Sequence, residues 1–205
     1  MKRKEKNMKN KSKEFIDILK TRHSNYTIIN ESTLNDKKMI HFIGECIKYN
    51  PSAFNIQSTR VVLLLHEQSK QMWEYVLENL SQPIPNIVLM ELKSCVGAYA
   101  TLLFYDDESV TINGANQYKM KEENFISWSL QANAMLQHSL WVGLSYLGYA
   151  VNIQHYNTLI DPEAKEKYDI PSHWKLIGQM SFGKFTKNAN KHDHLPIDQQ
   201  LTIEH

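Results

Sequence analysis

Between residues 125 and 147 the chain reads FISWSLQANAMLQHSLWVGLSYL, whose apolar side chains fall on most sides of a helix instead of along one stripe. Trp128, Leu130, Ala132, Ala134, Met135, Leu136, Leu140, Trp141, Leu144 and Leu147 leave little of its circumference to water. Such a helix must run through a core, along a subunit interface, or both. The segment therefore predicts a long central helix, around which a dimer can also be built.

Shorter patterns surround it. Ser12 suits an N-cap for SKEFIDILKTR, which puts Phe15, Ile18 and Leu19 on one face and ends near Arg22. Residues 1–11 read as a flexible, basic lead-in. Leu34, Ile40, Ile43 and Ile47 recur at helical spacing from Ser32 or Thr33 until Pro51. The run VVLLL at 61–65 reads as a buried strand. Met72, Trp73, Val76, Leu77 and Leu80 mark an amphipathic helix closed by Pro83 and Pro85, and 87–96 a further one. ATLLFY at 100–105 is the next strand. The polar stretch 106–124 is too long for a tight turn and reads as a lid or a loop reaching a partner. After the long helix come a strand in YAVNIQHY, a short helix in DPEAKEKYDI, a break at Pro171 and a last strand in KLIGQMSFG. The polar tail 184–205 has little to pack on its own chain and is free to lie across a neighbouring subunit. Few strands among many helices predict an α+β, layered fold. A length of 205 residues suits one core, so 12–205 reads as a single domain.

Composition removes several function classes. The 23 Lys and Arg nearly balance 22 Asp and Glu, so no broad field of one sign invites nucleic acid or an acidic membrane surface. No apolar run approaches the roughly 20 residues that span a bilayer, and the basic N-terminus lacks the apolar core of a secretion signal. These features predict a soluble, cytoplasmic protein. Cys46 and Cys95 have no CxxC or Cys/His spacing and read as buried free thiols. His192, Asp193 and His194 adjoin one another too closely to converge on a single ion, so no metal is expected. No GxSxG element supports Ser-His-Asp hydrolysis.

Three segments carry candidate chemistry. Thr21-Arg22-His23-Ser24 sets a cation, an imidazole and a hydroxyl side by side at a helix end, where they can grip a phosphate or simply favour the helix dipole. The loop NPSAFNIQS at 50–58 is rich in amides, which suit the edge of a heterocycle but also an ordinary turn. Asn152-Ile153-Gln154-His155-Tyr156 closes a strand, where such folds tend to place ligands and where solvated polar residues are also common.

Taken together, in this order, TRHS at 21–24 and PSAFNIQ at 51–57 resemble the flavin-dependent nitroreductase family, and the IQHYN run resembles its compact fatty-acid-repression-type branch. The resemblance spans the chain from about Ser12 onward. It implies a nitroreductase-like fold with a mainly antiparallel central sheet flanked by helices, a homodimer, and bound flavin mononucleotide (FMN). Arg22 and Ser24, with His23 beside them, would hold the flavin phosphate. Pro51, Ser52, Ala53 and Asn55 of the other subunit would line the flavin, with Gln57 supporting that loop. Gln154 and His155 stand where the family presents backbone groups to the flavin N5 region. Lys184, Lys187, Lys191 and His194 are the basic candidates to complete the phosphate site.

The resemblance further implies an oxidoreductase using NADH or NADPH as co-substrate to reduce a small-molecule acceptor such as a nitroaromatic or quinone. In that cycle the flavin N5 carries hydride and no side chain serves as the catalytic acid or base. Two positions depart from the family. Tyr26 stands where other members carry a second basic residue, and Lys93 is the candidate to replace that cation. Gln154-His155 replaces a Gly-rich acidic turn. These departures keep a second reading open, a flavin-binding regulatory or lipid-responsive protein with little turnover.

Overall fold

The computed structural model describes residues 2–189 and 193–204, with side chains described from residue 10 onward. Five strands form one sheet in the order β1-β5-β3-β2, with β4 also pairing β5. They are β1 (Ile28–Ile29), β2 (Thr59–Leu65), β3 (Ala100–Asp107), β4 (Ala150–Gln154) and β5 (Trp174–Phe185), and every strand pair is antiparallel. A single parallel bridge, Ser24 to Val151, ties the segment before β1 to the sheet.

The period-two alternation of a strand assigns its side chains to two cores. Leu102 and Phe104 pack with Met39, Ile43, Leu136, Leu140 and Leu144 of α2 (Asp36–Lys48) and α6 (Glu122–Tyr146). Leu103 and Tyr105 pack on the other face with Met72, Trp73, Leu92 and Ile160 of α3 (Glu67–Asn79), α4 (Asn86–Val96) and α7 (Asn157–Tyr168). The fold is α+β, and α6 is its central helix, as its apolar circumference requires. Buried Asn133 fixes it to the sheet by donating to the Tyr105 carbonyl at 3.1 Å, beside a register shift between β3 and β5.

Several boundaries differ from the sequence reading. The first helix, α1 (Lys2–Leu19), begins in the basic lead-in well before Ser12. The second begins at Asp36, because Asn35 accepts the Lys38 N–H and caps it. Residues 106–124 are not a loop: Asp107 caps α5 (Glu108–Tyr118), and α6 follows after a short turn. The helix was hidden because its inward face is built from Thr111, Gly114 and Ala115, small residues that give no hydrophobic signal. An added Cβ at Gly114 would sit 2.7 Å from the Phe125 ring, so the closeness of α5 and α6 depends on that glycine. Helix α7 starts at Asn157 and carries Pro162 within it, earlier than the 161–170 pattern suggests. Both cysteines are free thiols, but only Cys95 is fully buried; Cys46 is half-buried. No helix among the described residues is long and apolar enough to cross a membrane.

Candidate functional site

Past the end of α1 the backbone turns at Thr21 and Arg22 and runs beside β4. The Asn25 N–H donates to the Val151 carbonyl at 3.0 Å, and buried Asn152 donates back to the Asn25 carbonyl at 3.1 Å. On the other side, the Trp141 indole of α6 donates to the His23 carbonyl at 3.2 Å, and the Arg22 guanidinium lies over that ring, 4.6 Å from its centroid. Arg22, His23 and Ser24 are thus strapped to a strand and a helix with no carboxylate in ion-pair reach among the described residues. A guanidinium resting on an aromatic face keeps its donor fork outward, ready for an anion.

The C-terminal strand delivers a further cation to this place. Asn25 donates from Nδ2 to the Lys187 carbonyl at 2.9 Å, and Thr27 exchanges hydrogen bonds with the Lys187 backbone at 3.0 and 3.2 Å. The basic candidates now separate. Lys187 is held beside Asn25 without an ion pair among the described residues, whereas Lys184 is paired with Glu31 at 3.2 Å. His194 lies in the exposed tail, and Lys191, like His192, lies outside the described residues. Tyr26 is 43% exposed at the next position along. Lys93 is exposed in the last turn of α4, whose neighbouring Ser94 accepts the Ile28 N–H at 3.0 Å, so this cation stands near β1 and the Tyr26 stretch.

At the far end of β4, Gln154 is half-buried and His155 is exposed. The His155 ring lies over β5: a Cβ added at Gly178 would meet its Nε2 at 3.3 Å. The Tyr156 N–H donates to Oε1 of fully buried Gln179 at 2.8 Å, and Gln179 in turn donates to Asn157 at 2.6 Å. This network fixes where the strand ends, and burial raises the Tyr156 hydroxyl above its ordinary range.

The PSAFNIQ loop sits elsewhere. Ala53–Asn55 form a 3₁₀ turn, with Phe54, Asn55 and Gln57 all at positive φ. The Gln57 N–H donates to Ser52 Oγ at 3.0 Å and the Arg60 guanidinium donates to the Gln57 carbonyl at 2.6 Å, so a strained backbone is held by its own polar residues. Pro51, Asn55 and Gln57 remain exposed, with Ser52 and Ala53 half-buried. Phe54 stacks on Tyr118 at 4.2 Å and on Phe125 at 5.6 Å, and Asn50 donates to the Ala132 carbonyl at 3.0 Å. The loop is thereby anchored to the first half of α6, while Arg22 and His23 are anchored at Trp141. At 1.5 Å per residue the anchors Ala132 and Trp141 stand about 14 Å apart along the helix. One chain ties Arg22, Ser24 and Lys187 beside the start of β4, carries Gln154 and His155 at its far end, and anchors Pro51–Gln57 on the first half of α6.

Sequence reasoning missed the residues that do the strapping: Asn25, Thr27 and Trp141. Asn25 directly follows the TRHS run, and a buried amide there was the available signal.

A family model, "Nitroreductase family", matches residues 19–184. Among curated proteins, nitroreductase FRM2 of Saccharomyces cerevisiae is 27% identical over 149 residues, 72% of each chain. Among solved structures, nitroreductase CinD from Lactococcus lactis in complex with 4-nitrophenol superposes with a TM-score of 0.83 at 30% identity, covering 93% of this chain and 99% of that one. Its complex with chloramphenicol gives 0.84 at 29% identity and the same coverage. An FMN complex from Exiguobacterium sibiricum, 14% identical with a TM-score of 0.73 over 93% and 97% of the chains, shares the fold alone.

Proposed function

The chain belongs to the nitroreductase family, and from that premise we propose that it is an FMN-dependent oxidoreductase whose flavin site is divided between two copies of the chain. The observation that carries this reading is the separation of the two motif segments on α6. Arg22 and Ser24 are tied near Trp141 and the PSAFNIQ loop near Ala132, on different stretches of α6, and a two-fold pairing along α6 would bring each loop to the partner's β4 edge. Met135 and Tyr146 of α6 are 43% and 61% exposed, and Leu195, Ile197, Leu201 and Ile203 of the tail are likewise exposed, which suits burial in such a pairing.

The residues fit a flavin phosphate. Arg22 and Lys187 supply cations that make no ion pair among the described residues, and Ser24 a hydroxyl, and charge-assisted hydrogen bonds of this kind are the strong ones. The backbone at Gln154-His155, fixed through Tyr156 and Gln179, presents rigid polar groups to the ring system. Asn55 and Gln57 of the partner would supply amides to its edge, and Phe54 a flat apolar wall. The electron transfer itself is flavin chemistry, from NADH or NADPH to an electron-poor acceptor such as a nitroaromatic or quinone. The protein's part is to bind, orient and exclude water. The CinD complexes with 4-nitrophenol and chloramphenicol make nitroaromatics the first acceptors to try.

The test begins with colour. The purified protein should bind FMN, lose its yellow absorbance under anaerobic NADH or NADPH, and regain it on addition of 4-nitrophenol, chloramphenicol or a quinone. Protein that binds FMN but stays yellow with both nucleotides is a flavin-binding regulator, and one that takes up no FMN contradicts the proposal. Arg22→Ala should release the flavin; retention of FMN and full turnover would remove Arg22 from the site.

A further inference from the structure

Between α5, α6 and the start of β5 lies a partly open cavity of about 210 Å³. It exists because β3 outruns the core: after Leu102 and Phe104, the next residue facing α6 is Asp106, and the α5–α6 hairpin arches over it. Ile112, Ile126 and Leu130 form apolar walls. Asp106 also lines the cavity and is 4% exposed. Its Oδ2 accepts the Thr111 hydroxyl at 2.9 Å, whereas Oδ1 is buried with no hydrogen-bond partner among the described residues.

A buried carboxylate oxygen without a donor is costly, and the cost disappears when a donor arrives. The rim selects the sign of that donor's charge. Glu108 and Glu122 outnumber Lys175, which itself reaches Glu108 at 3.9 Å, so the lining repels anions and favours cations. An apolar cavity of roughly 150 Å³ admits a benzene ring. The present one has space for a ring with a small polar head.

We infer that this cavity binds a small organic cation of the amidine or primary-amine class, its N–H groups meeting Asp106 and its apolar body lying on Ile112, Ile126 and Leu130. All of the residues that line the cavity belong to one protomer.

Benzamidine is the probe, titrated into the purified full-length protein by calorimetry, with benzoate as the shape-matched anion. Benzamidine should bind and benzoate should not. Asp106→Asn should weaken benzamidine by about tenfold or more. Leu130→Trp fills the cavity from a partly exposed wall, leaves Asp106 in place, and should abolish binding; it decides the matter should Asp106→Asn fail to fold. Failure of benzamidine to bind, equal binding of benzoate, or affinity unchanged in the folded variants overturns the inference. Displacement of benzamidine by FMN would make the cavity part of the flavin site and overturn it too, while leaving the flavin proposal intact.

Discussion

Replacing Asn25 by Ala should damage stability and flavin binding together, because this one buried amide joins the TRHS segment to the C-terminal strand. Asn25 is 6% exposed, and its side chain donates from Nδ2 to the Lys187 carbonyl and accepts the Thr27 N–H at Oδ1, both at 2.9 Å, while the one Thr27 hydroxyl proton is shared between Oδ1 and the Lys187 carbonyl. At about 1 kcal/mol net for each full bond, their loss costs roughly 2–3 kcal/mol. In a chain of this size that lowers the melting temperature by roughly 4–12 °C. Thr27 still bonds the Lys187 carbonyl at 3.0 Å, so the tether slackens without parting. Arg22, Ser24 and Lys187 then lose their common frame, and FMN affinity should fall about tenfold, the effect of one charge-assisted contact held badly. Circular-dichroism melting gives the first quantity and quenching of FMN fluorescence the second. Melting within about 2 °C of wild type, together with unchanged FMN affinity, would refute the strapping role assigned to Asn25.

Two further substitutions probe the frame. A Cβ at Gly183 would collide with the Ile29 carbonyl and come within 3.1 Å of the Tyr99 N–H, so Gly183→Ala should cost about 3 kcal/mol or more by prising β1 from β5; a melting curve like that of wild type would contradict the close approach. Hydrogen bonds from the Tyr99 hydroxyl and then from His66 hold the Asp36 carboxyl below its ordinary value of 3.8. Because the folded value lies below the unfolded one, Asp36 stabilises the fold above pH 3.8 and loses that effect as acid protonates the folded carboxylate. The melting-temperature gap between wild type and Asp36→Asn should therefore be open at neutral pH and close in acid; a gap independent of pH would contradict it.

The sequence made the long helix and the sheet legible because both obey simple periodicities: continuous apolarity at 125–147, and β-branched or aromatic runs at 61–65 and 100–105. It concealed α5, whose packing face is small instead of apolar, and it concealed β1, whose two residues pair only with the distant β5. TRHS and PSAFNIQ were visible as motifs through family resemblance. Their separation along α6 was not, because it depends on Asn50 reaching Ala132 and Trp141 reaching His23, contacts spanning 82 and 118 positions. The different settings of Lys184 and Lys187 were also beyond sequence, since they turn on Glu31 standing opposite Lys184.

That separation makes the account testable by complementation. On the proposed division Arg22→Ala would remove the phosphate half of the site and a Ser52→Glu/Asn55→Asp loop variant the ring-lining half, so each alone should bind no FMN. Mixed dimers carrying one chain of each kind, isolated by dual affinity tags, contain one wholly damaged and one wholly intact site if every site draws its halves from different chains. Such dimers should recover about one FMN per dimer, half of the wild-type content. Mixed dimers as empty as the parent variants would contradict a flavin site divided between two subunits.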